Sequence, residues 1–182
     1  MRRTWTAVVV VFALAAVAGG CGGSSNATET NPTDQWASGF CTAVTTWKDA
    51  IANVKSDVTS NPTKDGLQTA ADDARSATDT LVSDIKDLGA PDTTSGQDVR
   101  TAVDSWSTTL DSEVSTIQDT VKGISSIADL PSAISTISTS VSTLATASSN
   151  ALTTIDQADA QGELKTAFEN APECKDLTSS GG

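Results

Sequence analysis

Histidine is absent from this chain of 182 residues, tyrosine is absent too, and the cysteines number three: Cys21, Cys41 and Cys174. Those facts remove most of the reactions a small protein can run. Without an imidazole there is no Ser-His-Asp or Cys-His nucleophilic arrangement. Zinc sites built on histidine or on clusters of free cysteine are excluded as well, and no glycine loop shaped to cradle a phosphate is present. Carboxylates are plentiful, so a hydrolytic carboxylate pair stays open on chemistry alone. Such enzymes usually line a substrate groove with aromatics, whereas Trp36, Trp47 and Trp106 are the only tryptophans beyond Trp5. The segment Asp156-Gln157-Ala158-Asp159-Ala160-Gln161-Gly162-Glu163 has the look of a calcium loop, but Ala158 and Ala160 occupy places that need oxygen ligands. The remaining acids, Asp72, Asp79, Asp87 and Asp98 among them, are spread along helical patterns and read as a solvated face. The expectation is a protein without catalytic activity, metal or cofactor.

What positions this chemistry begins with an address. Arg2 and Arg3 precede an uncharged, mostly apolar run from Thr4 to Val17, and Ala18-Gly19-Gly20 lead into Cys21. A cationic start, a short apolar stretch and small residues make a secretory signal, too short for a stable membrane span. The segment resembles the signal and lipobox of bacterial lipoproteins, although Ala18 stands where leucine is more typical. That resemblance implies that Cys21 receives a diacylglycerol on its sulfur and becomes the new N-terminus. The expected domains are a signal peptide over 1–20, a flexible tether over 21–33, a helical body over 34–174 and a polar tail over 175–182. The tether is small and polar, with a reach on the order of 20 Å.

The formal charge is -12 for the whole chain and two units more negative once Arg2 and Arg3 leave. Such acidity argues against nucleic acid, and against anionic lipid bound through the protein's own surface. With Cys21 assigned to the lipid, Cys41 and Cys174 remain as an even pair in an oxidising compartment, and a disulfide between them is expected.

From Thr33 onward the apolar residues recur with helical period. The first stripe is Ala37, Phe40, Val44, Trp47, Ile51, Val54 and Val58; Asn61-Pro62 then reads as a cap with proline opening the next helix. The second stripe has Leu67, Ala71, Ala74, Leu81, Ile85 and Leu88, with Thr78 in its gap, and Gly89-Ala90-Pro91 ends it. Thr94 and Gln97 have capping-box spacing before a third stripe from Val99 to Ile124. After Asp129-Leu130-Pro131 a fourth stripe runs from Ile134 to Ile155, weakens at Gly162, and continues through Leu164 and Phe168 to Ala171-Pro172. The expected fold is all-α: an antiparallel up-down-up-down four-helix bundle with long third and fourth helices. An even helix count brings the two ends of the body together, which is also what a Cys41–Cys174 bond requires.

One stretch stands apart in composition. From Leu130 to Ile155 there is no charged residue, and serine and threonine fill the polar positions. Either this helix is sheltered among its neighbours, or Ser138, Ser142 and Thr146 mark a neutral contact face for another envelope protein or a glycan. Trp36 lies one position off the first stripe, so the pattern leaves open whether it covers the disulfide or faces a partner.

The signal with Cys21, the tether, Gln35-Trp36-Ala37-Ser38-Gly39-Phe40-Cys41 and the closing Ala171-Pro172-Glu173-Cys174 together resemble small helical lipoproteins of high-GC Gram-positive bacteria. The resemblance implies a location, the outer face of the cell membrane, and an architecture, but no active site. Two functions compete. One is a lipid-anchored binding or scaffold module of the envelope. The alternative is a sensor or solute-binding domain that takes a small cationic ligand near Asp104, Asp111 and Glu113.

Overall fold

The computed structural model describes residues 31–159, 161–175 and 177; the signal segment, Cys21 and most of the tether lie outside them. The described residues are helical, with no strand among them. Five α-helices follow in order: α1 over Pro32–Ser60, α2 over Lys64–Leu88, α3 over Gly96–Lys122, α4 over Leu130–Ala158 and α5 over Glu163–Asn170. Short 3-10 turns over Ile127–Asp129 and Pro172–Cys174 precede α4 and follow α5.

The helix α1 starts inside the expected tether. Asn31 caps it, its side chain accepting from the Thr33 amide at 3.1 Å, and Pro32 takes the first turn, where its missing N–H costs nothing. Thr33 is buried and donates to the Asp92 carbonyl at 3.0 Å, which ties this end to the connection after α2. Between α1 and α2 the caps differ from the sequence reading. Asn61 closes α1, its amide bonded to the Asp57 carbonyl, while Thr63 opens α2 by accepting from the Gly66 amide at 3.1 Å. Pro62 therefore lies in the connection, because a hydroxyl one residue later captures the first free amides. Gly89, at φ +69, ends α2 in the left-handed region that glycine reaches without strain.

The capping box expected at Thr94 and Gln97 does not form. Instead α3 begins at Gly96, and the Thr94 amide donates to Glu163 of α5 at 3.0 Å. A carboxylate distant in sequence has outcompeted the local glutamine. At the turn into α4, Asp129 accepts from the amides and hydroxyls of both Ser125 and Ser126 at 2.8–3.1 Å. The Ser125 hydroxyl, followed by the other three donors, holds this carboxyl below its ordinary value.

Side-chain bonds set the sense of packing. Trp36 near the start of α1 donates to the carbonyl of Gly89 past the end of α2, and Trp47 donates to Thr78 further along both helices. These two helices are antiparallel. Lys64 at the start of α2 donates to the Ile124 carbonyl beyond α3, and Arg75 pairs with Asp111, so α2 and α3 are antiparallel too. Extensive contact joins α3 to α4. The core follows the four stripes, with Phe40, Leu67, Leu81, Leu110, Ile117, Ile137, Leu144 and Ile155 all fully buried.

Two expectations about length are corrected. The first and fourth helices have 29 residues each, the third 27 and the second 25, so the third and fourth are not a longer pair. The fourth segment also breaks into α4 and α5 rather than merely weakening. Gly162 turns the chain at φ +72, and the buried Asp159 carboxylate accepts from the amides of Glu163 and Lys165 at 3.1 and 2.9 Å. That carboxylate meets amides which a continuous helix would have bonded internally, and it stabilises the positive end of α5. The short helix then folds back on α1, where Cys174 bonds Cys41 across 133 residues of sequence with their Cα atoms 5.0 Å apart.

Candidate binding groove

Among the described residues α1–α2, α2–α3 and α3–α4 pack along one another, whereas α1 and α4 touch only slightly. While α1 packs along α2 and is covered by α5 near the disulfide, it approaches α4 only over a short stretch. Between them lies an open groove of about 780 Å³. Its α1 wall is Val44, Trp47, Lys48, Ile51, Ala52 and Lys55; its α4 wall is Val141, Ser142, Ala145, Ser148, Ser149, Leu152 and Thr153; Leu177 borders it as well. The groove begins where α5 ends its cover of α1. There, Trp36 stacks on Phe40 at 5.1 Å, and Phe168 of α5 lies against both rings.

Burial settles the place of the tryptophans. Trp36 is buried and hydrogen-bonded to Gly89, so it belongs to the aromatic cluster beside the disulfide. Trp106 meets Phe40 and stands edge-on to Trp47 at 6.0 Å. Trp47 has one side in the core, where its indole N–H donates to the fully buried Thr78 at 3.1 Å, and also lines the groove. Thr78 fills the gap in its apolar stripe because a buried indole donor needs an acceptor there.

The helix α4, uncharged from Leu130 to Ile155, is partly sheltered and partly open. Ile137, Ser140, Val141, Leu144, Ser148, Ala151 and Ile155 are buried, whereas Ser138, Ser142 and Thr146 are exposed. Of these three, Ser142 lines the groove; Ser138 and Thr146 lie on the same row of the helix outside it. The hydroxyls bond to their own helix: Ser142 donates to the Ser138 carbonyl at 2.9 Å and Thr146 to the Ser142 carbonyl at 3.0 Å. The donors of Ser142 and Thr146 are thus occupied, and these two residues offer acceptor lone pairs rather than free O–H groups.

The acids considered for a cationic ligand are not gathered. Asp104 pairs with Arg100 at 3.2 Å one turn away, Asp111 with Arg75 of α2 at 3.2 Å, and neither these two nor Glu113 lines the groove. No group of three or more metal-ligating side chains occurs among the described residues, and Asp159 and Glu163 of the calcium-like segment cap α5 and bind Thr94.

Sequence reasoning missed the α1 wall, and with it Lys48 and Lys55. A signal was present. At the positions three and four residues away, Lys48 has Val44, Thr45, Ile51 and Ala52, and Lys55 has Ile51, Ala52, Val58 and Thr59. Neither lysine has an acid within helical reach, in a chain with twice as many acids as bases. Arg75, Arg100 and Lys122 each have one. No family model matches the chain, and no curated protein or solved structure shows significant similarity to it. No helix among the described residues is long and apolar enough to cross a membrane.

Proposed function

We propose that this protein is a lipid-anchored, extracytoplasmic binding module of the bacterial envelope. It is held to the membrane through Cys21, has no catalytic activity of its own, and engages another envelope component through the α1–α4 groove. In this reading α1 to α4 form an up-down-up-down bundle, and the disulfide binds its two ends together with α5 packed beside them. The observation that carries the reading is the groove itself: an opening with apolar walls, of a volume within the range of ligand pockets, about 300–1,000 Å³. The tryptophans that a carboxylate hydrolase would use along a substrate cleft are instead committed to the core or to one groove wall. A cationic solute finds less support, since Asp104 and Asp111 already have arginine partners.

Two measurements test the reading. Metabolic labelling with an alkyne fatty acid should mark the protein and fail to mark the Cys21→Ala variant; equal labelling of both refutes the anchor. A photo-crosslinking residue placed at Ala145 in living cells should give adducts that the same residue at Thr80, on the exposed face of α2, does not. Identical adduct patterns from the two positions refute the groove as the binding surface.

A further inference from the structure

We infer that the component held in the α1–α4 groove is a single-chain anionic amphiphile, an acyl chain ending in a carboxylate or similar acidic head. This inference rests on the reading of the groove as the protein's binding surface and names what it binds.

The walls present a charge pattern opposite to that of the molecule. The chain carries -12 overall, yet among the described residues the only charged ones lining the groove are Lys48 and Lys55. Neither ammonium makes an ion pair or hydrogen bond among the described residues. The reason lies on both walls. Within α1 no acid stands three or four residues from either lysine, and across the groove α4 carries no charge at all from Leu130 to Ile155. The uncharged run therefore has a physical consequence: among the described residues, the α4 wall sets no acid opposite the two lysines.

Geometry narrows the ligand further. Lys48 and Lys55 are seven residues apart on one helix, about 10 Å along its axis. Lysine stems are flexible and can lie along apolar surface while the ammonium stays in water, so the two can converge on one head group near Ile51 and Ala52. Below them, Val44, Trp47, Val141 and Leu152 offer an apolar bed for a chain. An anion without a tail would leave that bed uncovered, and a neutral lipid would leave the lysines unpaired. The groove's volume of about 780 Å³ accommodates a single acyl chain.

The test uses the exported full chain carrying Cys21→Ala, so that no acyl group of its own competes, and dibromostearate as the probe. Because Trp47 lines the groove, bromine atoms bound there quench its fluorescence. The expected result is saturable quenching, with Kd raised about tenfold by Lys48→Gln together with Lys55→Gln, an effect of about 1.4 kcal/mol. A brominated alcohol of the same chain length should bind the two proteins alike, and far-UV circular dichroism should show that both remain helical. Absence of saturable quenching overturns the inference, as does equal affinity of the parent and the lysine double variant for dibromostearate. If Ala145 crosslinks to an envelope protein in cells while dibromostearate gives no saturable quenching, the amphiphile is refuted and the binding-module reading stands. If neither occurs, both fail.

Discussion

Removing the disulfide, by Cys41→Ala together with Cys174→Ala, tests the architecture most directly. The bond closes a loop of 133 residues by sequence separation. In the chain-entropy description a cross-link of that span restricts the unfolded chain by about 17 cal/mol/K, or about 5 kcal/mol at 25 °C. Part of that is regained, because unfolded chains are more compact than random coils. A loss of about 3–5 kcal/mol is expected, a large fraction of the 5–15 kcal/mol typical of a domain. The loss should also be uneven in space. The short helix α5 and the turn at Pro172–Cys174 pack chiefly on α1, so without the sulfur link their attachment depends on Leu164, Ala167, Ala171 and half-buried Phe168. Urea titration followed by circular dichroism measures the global term, and amide hydrogen exchange the local one. The expected result is a lower urea midpoint, with α5 amides exchanging faster than those of α2 and α3. A stability change below about 1 kcal/mol would refute the reasoning, since it would mean that the ends of the body stay together in the unfolded state or contribute nothing in the folded one.

Three further outcomes follow from particular side chains. Thr78→Val keeps the shape but leaves the buried Trp47 indole without its acceptor, and should cost about 1–3 kcal/mol by urea denaturation, whereas Thr78→Ser should restore most of it. Asp159→Ala removes the acceptor of two amides at the start of α5 and should destabilise by about 1–2 kcal/mol, with faster exchange at Glu163 and Lys165. Asp129 has its carboxyl depressed by hydrogen bonds from Ser125 and Ser126, so its contribution to the turn is fully present above the ordinary carboxylate value, near ~4, and is lost as pH falls through the lower folded value. An NMR titration of the Ser125 and Ser126 amides should therefore show a midpoint below that of Asp in an unfolded peptide; a midpoint at or above it refutes the assignment.

Much of the fold was legible because helices announce themselves locally. The apolar stripes over Ala37–Val58, Leu67–Leu88 and Val99–Ile124 became the buried faces of α1, α2 and α3, with Leu88 only half-buried and Ile124 just past the end of α3, since a period of three and four residues fixes which side can be removed from water. Boundaries were read less well where distant groups intervened. Thr94 was expected to join a local box and instead met Glu163, and Pro62 gave way to Thr63 as the start of α2. The candidate contact row Ser138, Ser142 and Thr146 lies on an exposed side of α4, and of the three only Ser142 lines the groove. The other wall belongs to a helix some ninety residues earlier, and no pattern within either helix says that the two face each other.

By itself the sequence determined the helical class, the residues that pack inside and the exclusion of histidine-based chemistry, because each depends on residue type and short-range period. The pairing of Cys41 with Cys174 also followed from cysteine count, whereas the even helix number expected to bring them together became five, with α5 carrying the chain back to α1. Only the tertiary structure decided that α5 turns back at Gly162 to cover one end of α1 while leaving the rest of it apart from α4. That outcome depends on where Asp159, Glu163 and Phe168 find partners far along the chain, and such contacts are set by packing in space rather than by neighbours in sequence.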